Sequence, residues 1–283
     1  MRRRLFFMGN VKSSYVMVNG VKTHYLEAGE GEPLVLLHGG EFGGCAELSW
    51  EYNIEELSKH FHVYAPDWLG FGKTEKVFDF NGMLERRIDH IRDFLKVMCI
   101  DSAHFMGNSM GGTLLLREAA KETPSWPLKK IVVVSGGGVI PENEAREILN
   151  SYDCTKEHMK KIIEVLFNDQ EWANEEYINK RYQLSLEPGA WECTAAARFK
   201  SPSAQKKVSD FKKLSNVDYF NVKVPTFIIA GAKDKLRDPG YHKEIVEQLP
   251  NNKLYVFEHA GHCPNIECHE EFNNRVIEFL KEG

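Results

Sequence analysis

Three residues in this chain could together carry out acyl transfer: Ser109, Asp234 and His262. Ser109 sits in Gly107-Asn108-Ser109-Met110-Gly111. Glycines two residues either side of a serine remove side chains that would clash in a tight strand-to-helix turn. Such a turn lifts the hydroxyl above the sheet edge. It also aims the N–H of Met110, at a helix start, toward whatever the serine attacks. A serine hydroxyl is a weak nucleophile at neutral pH and needs a base, which in turn needs a carboxylate to fix its tautomer. Asp234, three residues after Gly231, and His262, in Glu258-His259-Ala260-Gly261-His262, are the expected partners. Asp238 and His259 are the rivals. Asp234 stands closer to its strand end, and Gly261 frees the loop to bring His262 over Ser109. The order Ser109, Asp234, His262 is the one expected when such groups ride on loops at one edge of a doubly wound sheet.

Acyl transfer also builds negative charge on a carbonyl oxygen, which calls for N–H donors. Met110 supplies one. The second is expected from Gly40 in His38-Gly39-Gly40, directly after a buried strand, where absent side chains let backbone approach a ligand. His259, His262, Cys263, Cys268 and His269 invite a metal reading, but their spacing fits none of the usual zinc patterns. No metal or other cofactor is expected.

The elements that must position these groups alternate along the chain. Residues 14–18 and 21–26 read as a hairpin turning at Asn19-Gly20. Leu34–Leu37 is a continuous apolar run of a strand buried on both faces. A helical stretch at 50–59, a strand at 62–65 and a helix at 83–98 precede the Ser109 strand and helix, and a strand at 131–135 follows. From about Pro141 to about Asn221 there is no buried-strand pattern, only helix-like pieces such as 160–167 and 176–184. Strand–helix alternation resumes at 226–231, 241–248, 253–257 and 270–281. The pattern predicts an α/β fold: a mostly parallel central sheet with helices on both faces. Its core spans 1–140 and 222–283, and a helical cap is inserted at 141–221.

A length of 283 residues suits such a domain with an insertion. The net charge of −5 and the lack of a long basic run give no reason to expect nucleic-acid binding. Six scattered cysteines read as reduced thiols of a cytosolic protein. The N-terminal Met1–Met8 run is too short for a secretory signal or a membrane span. The expected partner is a small-molecule substrate, with neither membrane nor nucleic acid, and with a homo-oligomer left open.

As a set, His38-Gly39-Gly40, Pro66-Asp67-Trp68-Leu69-Gly70-Phe71-Gly72, Gly107-Asn108-Ser109-Met110-Gly111-Gly112, Gly231…Asp234 and Gly261-His262 resemble the α/β-hydrolase fold over essentially the whole length. Within that superfamily, Gly-Asn-Ser-Met-Gly-Gly and the segment 176–190 are most similar to the meta-cleavage-product hydrolases. The resemblance implies hydrolysis of a carbon–carbon bond in a ring-opened aromatic catabolite bearing a dienol carboxylate. It further implies that Arg181 and Asn108 bind the carboxylate and the oxo or hydroxyl end, with Gly39 and Cys263 bordering the substrate. An arginine fork suits a carboxylate, and an amide beside the nucleophile suits an enol oxygen. The chain departs from the group at Cys263, where a tryptophan is usual, and at Glu41 and Phe42, where small residues and proline are usual. A carboxylate beside the anion site opposes anion formation if it points inward. Glu41 is therefore expected to face solvent. A carboxylesterase or thioesterase would need the triad and anion hole but not Arg181, and a ligand-binding protein of low turnover would need neither.

Overall fold

The computed structural model describes residues 10–77, 79, 82–198 and 217–282. The Met1–Met8 run and the part of the insertion at 199–216 lie outside the described residues. Its strands are β1 (Lys12–Val18), β2 (Val21–Ala28), β3 (Pro33–Leu37), β4 (His62–Pro66), β5 (Ala103–Asn108), β6 (Leu128–Val134), β7 (Thr226–Gly231) and β8 (Asn252–Phe257). They form one sheet in the order β1-β2-β4-β3-β5-β6-β7-β8. β1 and β2 pair antiparallel, as do β2 and β4, and every other pairing is parallel. The hairpin turns at Asn19 and Gly20, both at positive φ (49° and 82°), which an Asn-Gly pair tolerates well.

The central strands send alternate side chains to two cores, as a two-residue period requires. Val35, Leu37, Phe105 and Val133 pack with the helices α3 (Met83–Val97) and α4 (Met110–Ala119). Leu34, Leu36, Met106 and Val132 face the other way, toward the short turns α1 (Ala46–Ser49) and α2 (Ile54–Leu57) and the terminal helix His269–Lys281. Helix is thus absent from part of 50–59, where one continuous segment was expected. Asn53 lies at the break, and its buried amide donates to the Asn265 carbonyl (2.9 Å) and to Asn273 Oδ1 (2.8 Å). Tertiary hydrogen bonds set that backbone rather than helical periodicity.

Between β6 and β7 run α5 (Glu144–Asn150), α6 (Lys156–Leu166), α7 (Glu175–Ser185) and α8 (Ala190–Ala196). Side chains of Asn143, Thr155 and Asn174 cap α5, α6 and α7 by accepting N–H groups of their first turns. Leu149, Met159, Ile162, Ile163, Leu166 and Ile178 form a third core. That core also takes in Phe42 and Cys263, so this helical layer packs on the loops after β3 and after β8. Among the described residues, no helix is long and apolar enough to cross a membrane.

Candidate active site

Ser109 is the hinge between β5 and α4, with φ 53° and ψ −112°, a backbone conformation strained for a residue with a side chain. The flanking glycines are required by space. A Cβ on Gly107 would come 2.4 Å from the Gly111 carbonyl carbon, and one on Gly111 would come 2.2 Å from the Leu37 carbonyl oxygen. The Ser109 N–H donates to the Val134 carbonyl (2.8 Å), and Thr113 Oγ1 donates to the Ser109 carbonyl (2.9 Å). The strain is therefore held from both sides.

His262 Nε2 lies 2.8 Å from Ser109 Oγ, and His262 Nδ1 lies 2.7 Å from Asp234 Oδ2. With the proton on Nδ1 facing the carboxylate, Nε2 is left to accept from the serine hydroxyl. Burial works against the charge on Asp234. The histidine and Arg237 outweigh it, so the Asp234 pKa falls below the ordinary carboxylate range. The Leu236 N–H also donates to Asp234 Oδ1 (2.9 Å). Asp238 and His259 are exposed and outside this chain of hydrogen bonds. The histidine loop is tied to the helical layer: the His262 N–H donates to the Leu166 carbonyl (2.8 Å), and Glu267 accepts from the N–H groups of Gly261, Asn168 and Asp169.

Gly40 and Met110 border the same pocket as Ser109, and a Cβ on Gly40 would stand 3.2 Å from the Met110 Cβ. At the first position of α4, Met110 has an N–H with no acceptor in its own helix. His38 pins the Gly40 loop: its Nδ1 donates to the Gly39 carbonyl (2.7 Å), and its Nε2 accepts the Trp68 N–H (3.1 Å). Complete burial disfavours the imidazolium and lowers the His38 pKa.

Glu41 does not face solvent. It is 4 % exposed, its carboxylate folded back over Gly39, where a Cβ would lie 2.4 Å from Oε1. The absent side chain of Gly39 makes the space, and Arg181 on α7 supplies the counter-charge, with Nη1 3.8 Å from Oε2. Burial pushes the Glu41 pKa up, but Arg181, His262 and the Glu41 backbone N–H more than reverse this, so it stays ionised. Arg181 is itself buried and donates through Nη2 to Tyr177 Oη (3.4 Å), while its Nε and Nη1 have no hydrogen-bond partner among the described residues. Asn108 is buried beside the serine, and its amide makes long contacts to the carbonyls of Val134 (3.5 Å) and His262 (3.4 Å). Cys263, directly after the histidine, is buried, and burial together with Glu41 holds its thiol pKa well above the usual value.

The pocket over Ser109 is lined further by Thr113, Ile140, Arg146, Leu149, Arg198 and Arg237. The sequence reading did not single out these arginines. Only Arg237 carried a signal there, three residues beyond Asp234 on the same loop.

The model of the α/β hydrolase family matches residues 34–275. A 2-hydroxy-6-oxo-6-(2'-aminophenyl)hexa-2,4-dienoic acid hydrolase of Metapseudomonas resinovorans is 32% identical over 278 residues, covering 94% of this chain and 90% of its own. A 2-hydroxymuconate semialdehyde hydrolase of Pseudomonas sp. strain CF600 is 27% identical, covering 95% and 93%. Among solved structures, the meta-cleavage product hydrolase of Pseudomonas fluorescens IP01, complexed with acetates, superposes with a TM-score of 0.85 at 27% identity, covering 94% of this chain and 97% of that one.

Proposed function

The chain belongs to the α/β-hydrolase family, and from that premise we propose that it is a serine hydrolase cleaving the carbon–carbon bond of a vinylogous diketo acid. The observation that carries this reading is the continuous hydrogen-bonded chain from Asp234 through His262 to Ser109, opening on a pocket bordered by Gly40 and Met110. His262 takes the Ser109 proton as Oγ adds to the ketone carbonyl. The N–H groups of Gly40 and Met110 stabilise the oxyanion. Collapse breaks the carbon–carbon bond, the imidazolium returns the proton to the departing dienolate, and water then releases the acid from Ser109 by the same base.

The dienol carboxylate end lies toward Asn108 and Arg181, with Gly39 and Cys263 beside it. Asn108 offers an amide next to the nucleophile, and Arg181 retains N–H groups without a hydrogen-bond partner among the described residues. Glu41 tempers the Arg181 charge. The likeness to hydrolases whose names specify 2-hydroxy-6-oxo-dienoates supports the same choice of bond.

Side-by-side kinetics on ring-cleavage products, followed by the loss of their visible absorbance, and on short aryl esters test the reading. Arg181→Ala is expected to lower kcat/KM on the dienones by about tenfold more than on neutral esters, because only the former offer it a carboxylate. Equal losses on both classes, or turnover of esters alone, would remove the carbon–carbon assignment.

A further inference from the structure

Resting on that serine-hydrolase reading, we propose that Glu41 is a specificity-determining residue of the pocket. Its carboxylate occupies the place on Arg181 that the substrate's carboxylate must take, and it rotates away when that carboxylate binds. Glu41 lines the pocket with Ser109, Gly40 and Met110, whereas Arg181 is not among the residues lining it. The arginine is buried behind the 39–44 loop, where a Cβ on Gly43 would come 2.2 Å from the Arg181 carbonyl oxygen and 2.9 Å from its Cγ. An anion in front of Ser109 therefore meets Glu41 before it meets Arg181.

The contact between the two attracts without closing. Arg181 Nη1 and Glu41 Oε2 are 3.8 Å apart, beyond hydrogen-bond length. Among the described residues, Glu41 Oε1 and Arg181 Nε and Nη1 have no hydrogen-bond partner. Coulomb attraction acts across that gap, but buried N–H groups without acceptors keep their desolvation cost. A carboxylate lying flat against the guanidinium would accept two of them at once. Two carboxylates on one buried arginine repel, so the substrate's gains this place only as that of Glu41 leaves. The backbone around Glu41 is fixed: His38 Nδ1 donates to the Gly39 carbonyl (2.7 Å), and the Gly44 N–H donates to the Glu41 carbonyl (2.9 Å). Rotation about the Glu41 side-chain bonds thus makes the exchange, with no shift of the loop. Arg146 lines the same pocket within electrostatic reach of Glu41, and gives the displaced carboxylate a second cation to face.

Two substitutions test the exchange by different routes. Glu41→Gln removes the competing charge and keeps the side chain's size. Gly39→Ala keeps the acid but evicts it, since the added Cβ would lie 2.4 Å from Oε1 and 2.6 Å from Oε2 of Glu41. Calorimetry of sorbate, a hexa-2,4-dienoate, and of its neutral amide reads the effect without turnover. Each variant is expected to bind sorbate roughly tenfold more tightly than wild type and the amide within about twofold, because only the charged ligand competes with Glu41. Arg181→Met added to Glu41→Gln should cancel the gain. With dienones the gain should appear in KM rather than in kcat. A folded variant of either kind that binds sorbate no more tightly than wild type would overturn the proposal. So would an equal gain for the amide, or a gain that survives Arg181→Met. Thermal melts identify the folded variants, and Gly39→Ala decides alone if Glu41→Gln does not fold. A sorbate gain with dienones inert in every variant would instead keep Glu41 in this role and discard the carbon–carbon reading.

Discussion

Among the described residues, two serines stand at the end of an aspartate–histidine pair. At Ser109 the distances are 2.8 Å to His262 and 2.7 Å from His262 to Asp234. At Ser13, His24 Nε2 lies 2.8 Å from the hydroxyl, and His24 Nδ1 lies 2.7 Å from Asp67 Oδ2. By hydrogen bonds alone the two constellations are indistinguishable. They differ in backbone and surroundings. Ser13 lies on the edge strand β1, in regular extended backbone, exposed, while Ser109 is forced to φ 53° at a helix start beside Gly40 and Met110. Asp67 also accepts the N–H groups of Ala46 (2.7 Å) and Lys73 (2.8 Å), so it ties β2, α1 and the loop after β4 together. An aligned base gives a serine little unless donors await the oxyanion and a pocket holds the carbonyl.

The comparison can be tested from its strongest contrast downward. Ser109→Ala and His262→Ala should each lower kcat by about a thousandfold or more, with the thermal midpoint little changed. Asp67→Asn should act on stability instead. It weakens the acceptor for the Ala46 and Lys73 N–H groups and the His24 ring, and urea titration should register a loss of about 3 kcal/mol. Here kcat per folded molecule should stay near wild type. A collapse of kcat in Asp67→Asn without unfolding would break the distinction.

pH separates stability from catalysis around the same strand. Next to His24, Thr23 Oγ1 lies 2.9 Å from His90 Nε2, and burial pulls the His90 pKa down from 6.5 to about 4. The native state therefore refuses a proton that the unfolded chain accepts between those values. The His90 contribution is complete above pH 6.5 and is lost as the pH falls toward 4, by up to roughly 3 kcal/mol. Unfolding curves of His90→Gln should be flatter across that window. Asp67 is also held below its ordinary pKa, its hydrogen bond to His24 and the nearby histidines overcoming burial. Its contribution is lost only at lower pH still, below its unfolded value near 3.8. The smallest effect belongs to Ser13→Ala: kcat/KM within about twofold and stability within about 0.5 kcal/mol, as for an exposed edge position. A large activity loss there would mean that the outer constellation has chemistry of its own.

The strands, their parallel order and the turn at Ser109 were legible because local rules specify them. Apolar runs bury both faces of a strand, Asn-Gly closes a hairpin, and glycines at 107 and 111 leave room that no other residue leaves. Chain order then pointed to Asp234 and His262 over Asp238 and His259, since loops at one sheet edge must converge. Sequence did not reveal Glu41. A carboxylate in a glycine-dense loop reads as solvated, and its burial depends on Arg181 arriving from α7, more than a hundred residues away along the chain. Nor did it mark Arg146, on α5, or Arg198, just beyond α8, since neither lies in a motif or at a strand end.

By itself, the sequence determined the sheet, the strained serine and the residues that the fold hydrogen-bonds to it, because those depend on spacing within a few residues and on the order of loops along one edge. The tertiary structure decided which charges come together: Glu41 folded inward against Arg181, and Arg146, Arg198 and Arg237 gathered with Glu41 around the pocket before Ser109. Electrostatics acts across a few ångströms of space regardless of chain separation, so only the packed molecule brings those charges together.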